Sequence, residues 1–341
     1  MALRVGLLGA GFMGRAHGQI FGLLEDVELV AVACKEQDVA EKHPVFSGIP
    51  VYDDAERMMD KEKLDLVSIC LPTYLHSEYA VKAAQRGLHV LTEKPIALTL
   101  DEADRSIEAA SEAGVKFMVA HCIRFWPEYV YLKRIVESGE FGALKAISML
   151  RGGGPPLWSW DNWLMDPARS GSIVMDLQIH DFDFLQVIAG KPLDVRALGF
   201  GDGDMWMHSN SLFRCPNNVS ARVEGTWAMP DAYGFAHGYT ALFEDGAVAY
   251  NLKNNPPVVT YRGKETHHPE LEIPDIPTAN AGGNVEVGIA YLNEIKYFLD
   301  CIREDKQPDL VPPEESREAL KLCLATRKSV ETGRIVEIPT G

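Results

Sequence analysis

The first 120 residues alternate between short apolar runs and stretches in which apolar positions recur with helical spacing. The apolar runs predict β-strands at residues 3–8, 29–34, 66–71, 89–92 and 116–120. The stretches between them predict helices that include residues 14–24, 77–86 and 100–113. Buried strands that alternate with helices are typical of a parallel sheet covered on both faces. The N-terminal part is therefore predicted to be a doubly wound α/β domain.

The last of these helices has a sequence signal at each end. Thr99 and Glu102 have the spacing of a capping box, in which each side chain accepts a hydrogen bond from the other residue's backbone N–H. Gly114 follows the helix and is expected to end it in a left-handed conformation.

The pattern changes after His121. Helical stretches at residues 127–138 and 170–189 enclose a segment rich in Gly, Pro and Trp at residues 151–163. Strand-like runs then follow one another without helices, at residues 193–200, 210–214, 219–228, 239–243 and 247–252. Such a succession predicts a mostly antiparallel sheet and hence an α+β domain. An irregular stretch is expected at residues 254–283, and helices at residues 285–303 and 313–332.

The length agrees with two domains, because 341 residues exceed the usual domain size of about 150. We place the domains at residues 1–121 and 122–341. The content of 46% hydrophobic and 24% charged residues is that of a globular protein. The 33 basic and 49 acidic residues give a net charge of −16, which disfavours nucleic acid and anionic membranes as partners.

The N-terminus and the cysteines indicate a cytoplasmic protein. No signal peptide is expected, because the chain runs from Met1 directly into a strand-like segment. No apolar run approaches the roughly 20 residues of a membrane-spanning helix. The six cysteines are scattered and form no Cys-x-x-Cys pair, so neither zinc nor a disulfide framework is predicted.

A glycine motif indicates the first function. Gly9, Gly11 and Gly14 fit the pattern G-x-G-x-x-G and lie between a predicted strand and a predicted helix. In that context the first glycine permits a tight turn, the second lets a pyrophosphate approach the backbone, and the third allows close packing. With Phe12 and Met13, they predict a dinucleotide site at a helix N-terminus.

The tip of the second strand bears on the choice between NAD and NADP. An acidic residue there binds the ribose 2′-hydroxyl, whereas a basic one accommodates a 2′-phosphate. The expected position holds Cys34, and Lys35 follows it, which favours NADP. Glu36 supplies the carboxylate instead if the turn is shifted by two residues, and a solvated Lys35 is the alternative to a binding role.

Two segments suggest catalytic chemistry. Glu93-Lys94-Pro95 follows a predicted parallel strand, at the end where ligands of such sheets bind. Asp176 and His180 are four residues apart on a predicted helix, so their side chains are expected to share one face. A carboxylate beside an imidazole orients the ring and raises its basicity, which suits a general base.

These motifs resemble those of the glucose–fructose oxidoreductase, inositol dehydrogenase and rhizopine-catabolism (Gfo/Idh/MocA) family of NAD(P)-dependent oxidoreductases. The resemblance extends over nearly the whole chain. Besides the glycine motif and the catalytic segments, it includes Leu71-Pro72-Thr73 with His76, Arg124-Phe125 with Pro127, Trp163 with Asp166-Pro167, and the closing pattern from Tyr291 to Gly333.

The resemblance implies a Rossmann domain followed by an α+β domain with a large open sheet. In the family that sheet commonly forms the interface of a homodimer or homotetramer. The implied reaction is hydride transfer between nicotinamide and a secondary alcohol or ketone of a sugar, sugar derivative or inositol. No metal is implied.

The resemblance also implies roles for individual residues. Lys94 would hydrogen-bond the reacting hydroxyl, and His180 would be the principal acid/base group, oriented by Asp176. The backbone of residues 71–73, with Glu93, would line the nicotinamide ribose, and His76 is a further cofactor-binding position. Arg124 and Trp163 would lie near the junction of cofactor and substrate, and the further substrate positions are Arg151, Tyr233 and Tyr291. For the two tyrosines, packing and substrate contact stay equally open.

Some neighbouring residues depart from the family or allow other interpretations. The family often has Gly-Gly-Gly before the catalytic helix and Gly two residues before the histidine, where this chain has Gly171-Ser172-Ile173 and Gln178. These differences concern the identity of the substrate. Asp181 and Asp183 beside His180 have the chemistry of metal ligands, but a solvated or capping role is the prediction.

Two further hypotheses compete with a dehydrogenase. One is a nucleotide-sensing regulator that keeps the fold without the chemistry, against which the joint presence of Lys94, Asp176 and His180 argues. The other is a glycosidase-like enzyme that holds NAD tightly and oxidises its substrate transiently, with no net change of the cofactor.

Overall fold

The structure, a computed structural model, describes residues 2–271 and 288–339. Its packing divides these residues into two compact units. The first unit comprises residues 2–122, 159–163 and 288–317, and the second comprises residues 123–158, 164–271 and 318–339. Each unit draws on several segments, so the proposed division of the chain at residue 121 stays a prediction. The end of the predicted irregular stretch and the start of the helix predicted from residue 285 lie outside the described residues.

A parallel sheet forms the centre of the first unit. Its strands are β1 (Leu3–Leu8), β2 (Val27–Ala33), β3 (Val51–Tyr52), β4 (Leu66–Ile69), β5 (His89–Glu93) and β6 (Phe117–Ala120). Their order is β3-β2-β1-β4-β5-β6, and every neighbouring pair is parallel. The direction of strand order reverses between β1 and β4, which is where a doubly wound sheet binds its ligand. The predicted α/β domain is thus confirmed.

Helices follow the strands of this sheet. They are α1 (Phe12–Leu23), α2 (Gln37–Glu41), α3 (Ala55–Lys61), α4 (His76–Ala84) and α5 (Leu100–Ala113). The capping box of α5 is present, since the Thr99 hydroxyl accepts from the Glu102 N–H at 3.3 Å and the Glu102 carboxylate accepts from the Thr99 N–H at 3.0 Å. Gly114 ends the helix with φ 67°. The short elements β3, α2 and α3 were not predicted.

The second unit begins with α6 (Pro127–Ser138) and is built on a nine-stranded sheet. Its strands are β7 (Leu144–Gly152), β8 (Asp194–Asp202), β9 (Met205–Arg214), β10 (Ser220–Thr226), β11 (Ala236–Phe243), β12 (Ala247–Asn251), β13 (Val258–Arg262), β14 (Glu265–His267) and β15 (Val336–Glu337). The order is β14-β13-β12-β11-β7-β10-β9-β8-β15. Only the β7–β10 pair is parallel among these neighbours, so the mostly antiparallel sheet is confirmed.

Two predictions about this sheet were wrong. The central strand β7 was missed, because apolar residues occur on both of its faces and its inward positions end in a charged residue, Arg151. Arg151 therefore lies on a strand and not in the Gly/Pro/Trp-rich segment. The stretch predicted to be irregular from residue 254 contains β13 and β14.

The single helix predicted at residues 170–189 was also wrong. The structure has three helices here: α7 (Pro167–Ser170), α8 (Ser172–Asp176) and α9 (Ile179–Ala189). Gly171, with φ 72°, separates the first two. Between α8 and α9 the N–H groups of Leu177 and Gln178 both donate to the carbonyl of Ile173, at 2.9 and 3.0 Å, which interrupts the regular helical bonding. Asp176 thus ends one helix, and His180 lies in the next.

The helices α8 and α9 cover the inner face of the sheet. The first contacts β9 and β10, and the second contacts β10 and β7. Val174, Met175, Phe182 and Phe184 are completely buried in this contact. The residues between α8 and α9 are consequently held against the centre of the sheet.

Two long helices complete the described chain, α10 (Ile289–Arg303) and α11 (Pro313–Thr332). The bounds of α11 are those predicted from the sequence. None of the helices in residues 2–271 and 288–339 combines the length and the apolar character that crossing a bilayer requires.

Candidate active site

The glycine motif forms a turn from β1 into α1 that leaves room for a ligand. Gly9 has φ 99°, and a Cβ added there would lie 2.4 Å from the carbonyl oxygen of Cys70. A Cβ on Gly14 would lie 2.0 Å from the carbonyl oxygen of Gly9. A Cβ on Gly11, in contrast, would meet no atom within 4 Å. The outer glycines are therefore required by packing, while the space beside Gly11 is open, as the approach of a pyrophosphate requires.

The start of α1 suits an anion. Gly11 is the N-cap residue and has no side chain that caps the helix, and the first turn, which begins with Phe12 and Met13, contains no acidic residue. The amides and the positive end of the helix dipole at such an N-terminus favour phosphate groups. The residues present therefore fit a bound dinucleotide.

The next strand of the sheet ends beside this turn. Cys34 follows β2, is half-buried, and donates its N–H to the carbonyl of Tyr52 at 2.9 Å. Burial raises the pKa of the Cys34 thiol, so this side chain is neutral at pH 7. Lys35 and Glu36 are both exposed, and Glu36 precedes α2. Either charged group is accessible to a ribose at this edge.

The loops after β4 and β5 are joined by a buried histidine. His76 begins α4, and its ring lies between the carbonyl oxygens of Leu71 and Pro95, each 2.7 Å from a ring nitrogen. Burial lowers the pKa of His76, although both carbonyl contacts oppose that shift. The ring thereby connects the backbone of the Leu71-Pro72-Thr73 segment to the residue that follows Lys94.

Glu93, the last residue of β5, has a partner that the sequence did not reveal. The Nε2 atom of His17 in α1 lies 3.2 Å from the Glu93 carboxylate, and its Nδ1 lies 2.8 Å from the hydroxyl of Ser68 in β4. The other carboxylate oxygen of Glu93 accepts the backbone N–H of Lys94 at 3.2 Å. His17 is fully buried, and Glu93 is 7% exposed.

The pKa values indicate that the pair is ionic. Burial alone would lower the pKa of His17, but the neighbouring Cys70 and the Glu93 carboxylate outweigh burial and raise this pKa well above 6.5. Burial alone would raise the pKa of Glu93, but His17, with Lys94 and His76, lowers it. A polar residue on the buried face of α1, one turn after Gly14, is the sequence signal that would have pointed to this pair.

The structure distributes the predicted residues between the two units. The first unit brings together, at the carboxyl ends of β1, β2, β4 and β5, the following positions: Gly9, Gly11, Gly14, Cys34, Lys35, Leu71, Pro72, Thr73, His76, Glu93 and Lys94. It also contains Trp163 and Tyr291. Tyr291 lies in α10, where burial raises its pKa and Cys122 is its hydrogen-bonding neighbour. Arg124, Arg151, Asp176, His180 and Tyr233 belong to the second unit.

The accessibility of Asp176 and His180 supports their selection. From residue 171 to residue 180, these two are half-buried and every other residue is buried. The argument from one continuous helix does not hold, yet the break between α8 and α9 leaves both side chains accessible on an otherwise covered surface.

The two aspartates after His180 are not solvated or capping residues, as the sequence had suggested. Asp181 and Asp183 are completely buried. Arg151 donates to Asp181 through Nε at 2.9 Å and Nη2 at 3.0 Å. Arg124 donates to Asp183 through Nε at 2.7 Å and Nη2 at 2.6 Å. Burial raises the pKa of Asp181, and Arg151 opposes that shift.

Tyr233 has a separate setting in the second unit. It is half-buried, and the ammonium of Lys253 lies 3.5 Å from its ring centroid. The same ammonium donates to the carbonyl of Tyr233 at 2.6 Å. The aromatic ring is therefore held by a cation, and its contact with substrate stays a prediction.

Fold and site together define a class of protein. A doubly wound sheet with a glycine turn at its switch point binds dinucleotides. Helices that pack on a separate sheet carry two accessible side chains, Asp176 and His180. This combination is that of an NAD(P)-dependent oxidoreductase.

Comparison with known proteins gives the family. The model of the GFO_IDH_MocA oxidoreductase family, described by its NAD-binding Rossmann fold, matches residues 3–121. The model of the GFO/IDH/MocA C-terminal domain matches residues 129–249. The chain belongs to the Gfo/Idh/MocA family, and it is an enzyme of the NAD(P)-dependent dehydrogenase type.

Relatives match along almost the entire chain. Myo-inositol 2-dehydrogenase of Thermotoga maritima is 26% identical over 98% of this chain and 98% of its own. The 2,7-anhydro-N-acetylneuraminate hydratase of Mediterraneibacter gnavus is 25% identical over 96% of this chain and 93% of its own. Levoglucosan dehydrogenase, solved with NADH and levoglucosan, has a TM-score of 0.85 at 22% identity and 100% coverage of both chains, which supports the fold.

We expect the stability that His17 contributes to be lost as the pH rises. Its folded pKa lies above 6.5, so the ion pair with Glu93 is fully present below that value and disappears as the pH passes through the folded pKa. The free energy of unfolding of the wild type should exceed that of His17→Gln most at about pH 6. By about pH 9 the difference should shrink, by about 1.4 kcal/mol for each pH unit between the folded and ordinary pKa values.

Denaturant unfolding at both pH values measures this difference. The control is His267→Gln, which changes an exposed histidine and should give no pH-dependent difference. A His17→Gln effect that is constant or grows with pH would contradict the ion pair.

Proposed function

We propose that the enzyme transfers a hydride between nicotinamide and a secondary alcohol or ketone of a neutral sugar, sugar derivative or inositol. The observation that carries this proposal is the accessible pair Asp176 and His180 in an otherwise buried stretch. Lys94, at the carboxyl end of a parallel strand, is the second polar group. Relatives named as inositol and levoglucosan dehydrogenases support the substrate class. The net charge of −16 favours an uncharged substrate.

The protein's own residues accept and donate the proton in this reaction. Bound NAD(P) supplies the hydride acceptor or donor. Loss of hydride from an alcohol carbon requires loss of the hydroxyl proton, which needs a base within hydrogen-bond reach. We assign the base to His180, its orientation to Asp176, and hydrogen bonding of the same hydroxyl to Lys94. In the reductive direction His180 returns the proton.

The contact residues complete the proposed site. For the cofactor we propose Gly9, Gly11, Phe12, Met13, Gly14, Cys34, Lys35, Leu71, Pro72, Thr73, His76, Glu93, Lys94 and Arg124. For the substrate we propose Lys94, Arg151, Trp163, Asp176, His180, Tyr233 and Tyr291. The guanidinium groups of Arg124 and Arg151 also bind aspartates, so any ligand contact is additional to these ion pairs.

Exposed apolar side chains and free thiols support our proposals for the assembly and the location of the protein. Leu198, Phe200, Leu212 and Leu242 are each more than half exposed on β8, β9 and β11. An apolar sheet face of this kind is suited to self-association, and we propose a homodimer or homotetramer through this sheet. All six cysteines are free thiols, which agrees with a cytoplasmic location.

One relative supports a second candidate function. The Mediterraneibacter gnavus protein is named a hydratase, and a hydration causes no net oxidation or reduction of its substrate. In that case the same acid/base residues would serve a transient oxidation. Cofactor that stays bound through purification, with product formed but no NAD(P)H released, would favour this candidate.

Substitution of the acid/base residues tests the proposed function. A panel of polyols with NAD and NADP first identifies the substrate by absorbance change. Lys94→Ala and His180→Ala should then each lower kcat by about 10²- to 10⁴-fold, because positioned proton transfer contributes that much. The dissociation constant of the dinucleotide, measured by fluorescence titration, should change little in His180→Ala, which removes no proposed cofactor contact.

Matched controls are available on the surface. Lys264→Ala and His267→Ala remove the same side-chain types at exposed positions of the β13–β14 hairpin and should leave kcat unchanged. Near-wild-type kcat of either active-site variant would show that its assigned role is wrong. A protein that binds the dinucleotide but turns over no polyol would instead favour the sensor hypothesis.

We further propose NADP as the preferred cofactor, with Lys35 beside the 2′-phosphate. Lys35→Ala should lower kcat/KM with NADP by about 10-fold, the equivalent of about 1.4 kcal/mol, and leave kcat/KM with NAD unchanged. Lys42→Ala, at an exposed lysine directly after α2, is the control and should alter neither value. A wild-type enzyme that strongly prefers NAD would contradict this assignment and favour Glu36 as the ribose ligand.

A further inference from the structure

Two charged side chains are buried in α9 directly after the proposed base. Asp181 follows His180 directly, Asp183 lies two residues further on, and neither carboxylate is accessible to solvent. The rest of α9 is predominantly apolar. Burying a charge costs several kcal/mol and is only partly repaid by an ion pair, so such pairs are weak contributors to stability. A requirement other than stability would explain why this helix contains two of them.

Both ion pairs have a two-point geometry, which fixes the orientation of the two side chains as well as the distance between them. Each arginine uses Nε and Nη2 on the two oxygens of one carboxylate, so the guanidinium and carboxylate planes are aligned. Arg151 is anchored on the central strand β7, and its Nη2 also donates to the hydroxyl of Tyr129 at 3.0 Å. Asp183 additionally accepts from Gln186 Nε2 at 3.3 Å.

A third buried contact holds the residue two positions before His180. The Nε2 atom of Gln178 donates to the carbonyl of Ser209 on β9 at 3.2 Å. Its side chain occupies space left by Gly225 on β10, where an added Cβ would lie 2.3 Å from Gln178 Cγ. Gln178 is completely buried. The glycine on the strand and the glutamine in the break between α8 and α9 therefore fit each other.

We propose that Arg151, Arg124 and Gln178 are positioning residues that fix the place and direction of the His180 ring. The three contacts attach residues 178, 181 and 183 to β9, β7 and the segment before α6. They therefore surround the one accessible imidazole of this stretch with immobile backbone. This inference rests on the proposed role of His180, and the experiments below separate the two.

The forked geometry of arginine makes the proposal testable. Lysine keeps the positive charge but offers a single point of attachment without a plane. Arg151→Lys and Arg124→Lys should therefore retain the folded protein while letting α9 rotate. A misplacement of a reacting group by about 1 Å lowers rates by about 10²-fold, so kcat should fall by about 10- to 100-fold in each variant. In Arg151→Lys the KM and dissociation constant of the dinucleotide should stay within about 2-fold, because Arg151 is not among its proposed contacts.

The control is Arg214→Lys. Arg214 donates from Nε and Nη2 to Asp194 between two neighbouring strands of the same sheet, but its side chain is 60% exposed and distant in sequence from His180. This variant should keep wild-type kcat. A fall in melting temperature with unchanged kcat in Arg151→Lys and Arg124→Lys would overturn the proposal and leave the pairs with a structural role only.

Gln178→Met supplies a variant that changes no charge. Methionine has a similar volume but lacks the donor to Ser209, so kcat should fall by about 3- to 10-fold with the fold retained. If the lysine variants do not fold, Gln178→Met tests the positioning role by itself. An unchanged kcat in Gln178→Met would contradict that role.

A measurement that does not require turnover tests the positioning of His180 separately from the proposed dehydrogenase function. The ring ¹⁵N resonances of His180, assigned by comparison with His180→Gln, report its environment and titration midpoint. They should shift in Arg151→Lys and Gln178→Met and stay unchanged in Arg214→Lys. A wild-type protein without dehydrogenase activity would refute the proposed function while the resonances still test the positioning. An active wild type whose variants change neither kcat nor the His180 resonances would refute the positioning alone.

Discussion

Buried carboxylates, each paired with a buried cation, are the constraint on which the proposed acid/base residues of each unit depend. Glu93 immediately precedes Lys94 and pairs with His17. Asp181 immediately follows His180 and pairs with Arg151. In both units a side chain proposed to handle the proton is thus adjacent in sequence to a charge that the protein interior holds in place. The proposed reactive residues are partly accessible, while their neighbours are buried in ion pairs.

The sequence predicted those features of the fold that depend on residues close together in the chain. The capping box of α5 and the bounds of α6 and α11 depend on spacing, glycine and hydrophobic period within one element. The parallel sheet of the first unit was predicted from the alternation of strands and helices along the chain. The break between α8 and α9 depends instead on Gln178 and its fit to Gly225, residues far apart in the chain. The strand β7 was missed because its inward charge, Arg151, is acceptable only opposite Asp181.

The same distinction applies to the candidate site. The glycine turn, Lys94 and the Asp176–His180 pair were selected from motifs, and the structure places them at strand ends or on an accessible surface. The partners of His17, Asp181 and Asp183 were not predictable, because a buried ion pair is defined by a partner distant in sequence. Two aspartates in an apolar helix were nevertheless a usable signal, since buried carboxylates require cations.

We propose that Lys94 and His180 act on one hydroxyl group, and a crystal structure of the enzyme with NADP and a polyol substrate would show whether they do. Lys94 Nζ and a ring nitrogen of His180 should both lie within about 2.6–3.2 Å of the same substrate oxygen. The carbon bearing that oxygen should face the nicotinamide. A substrate oxygen that contacts neither residue, or a His180 ring directed away from the substrate, would show that the two residues do not share this role.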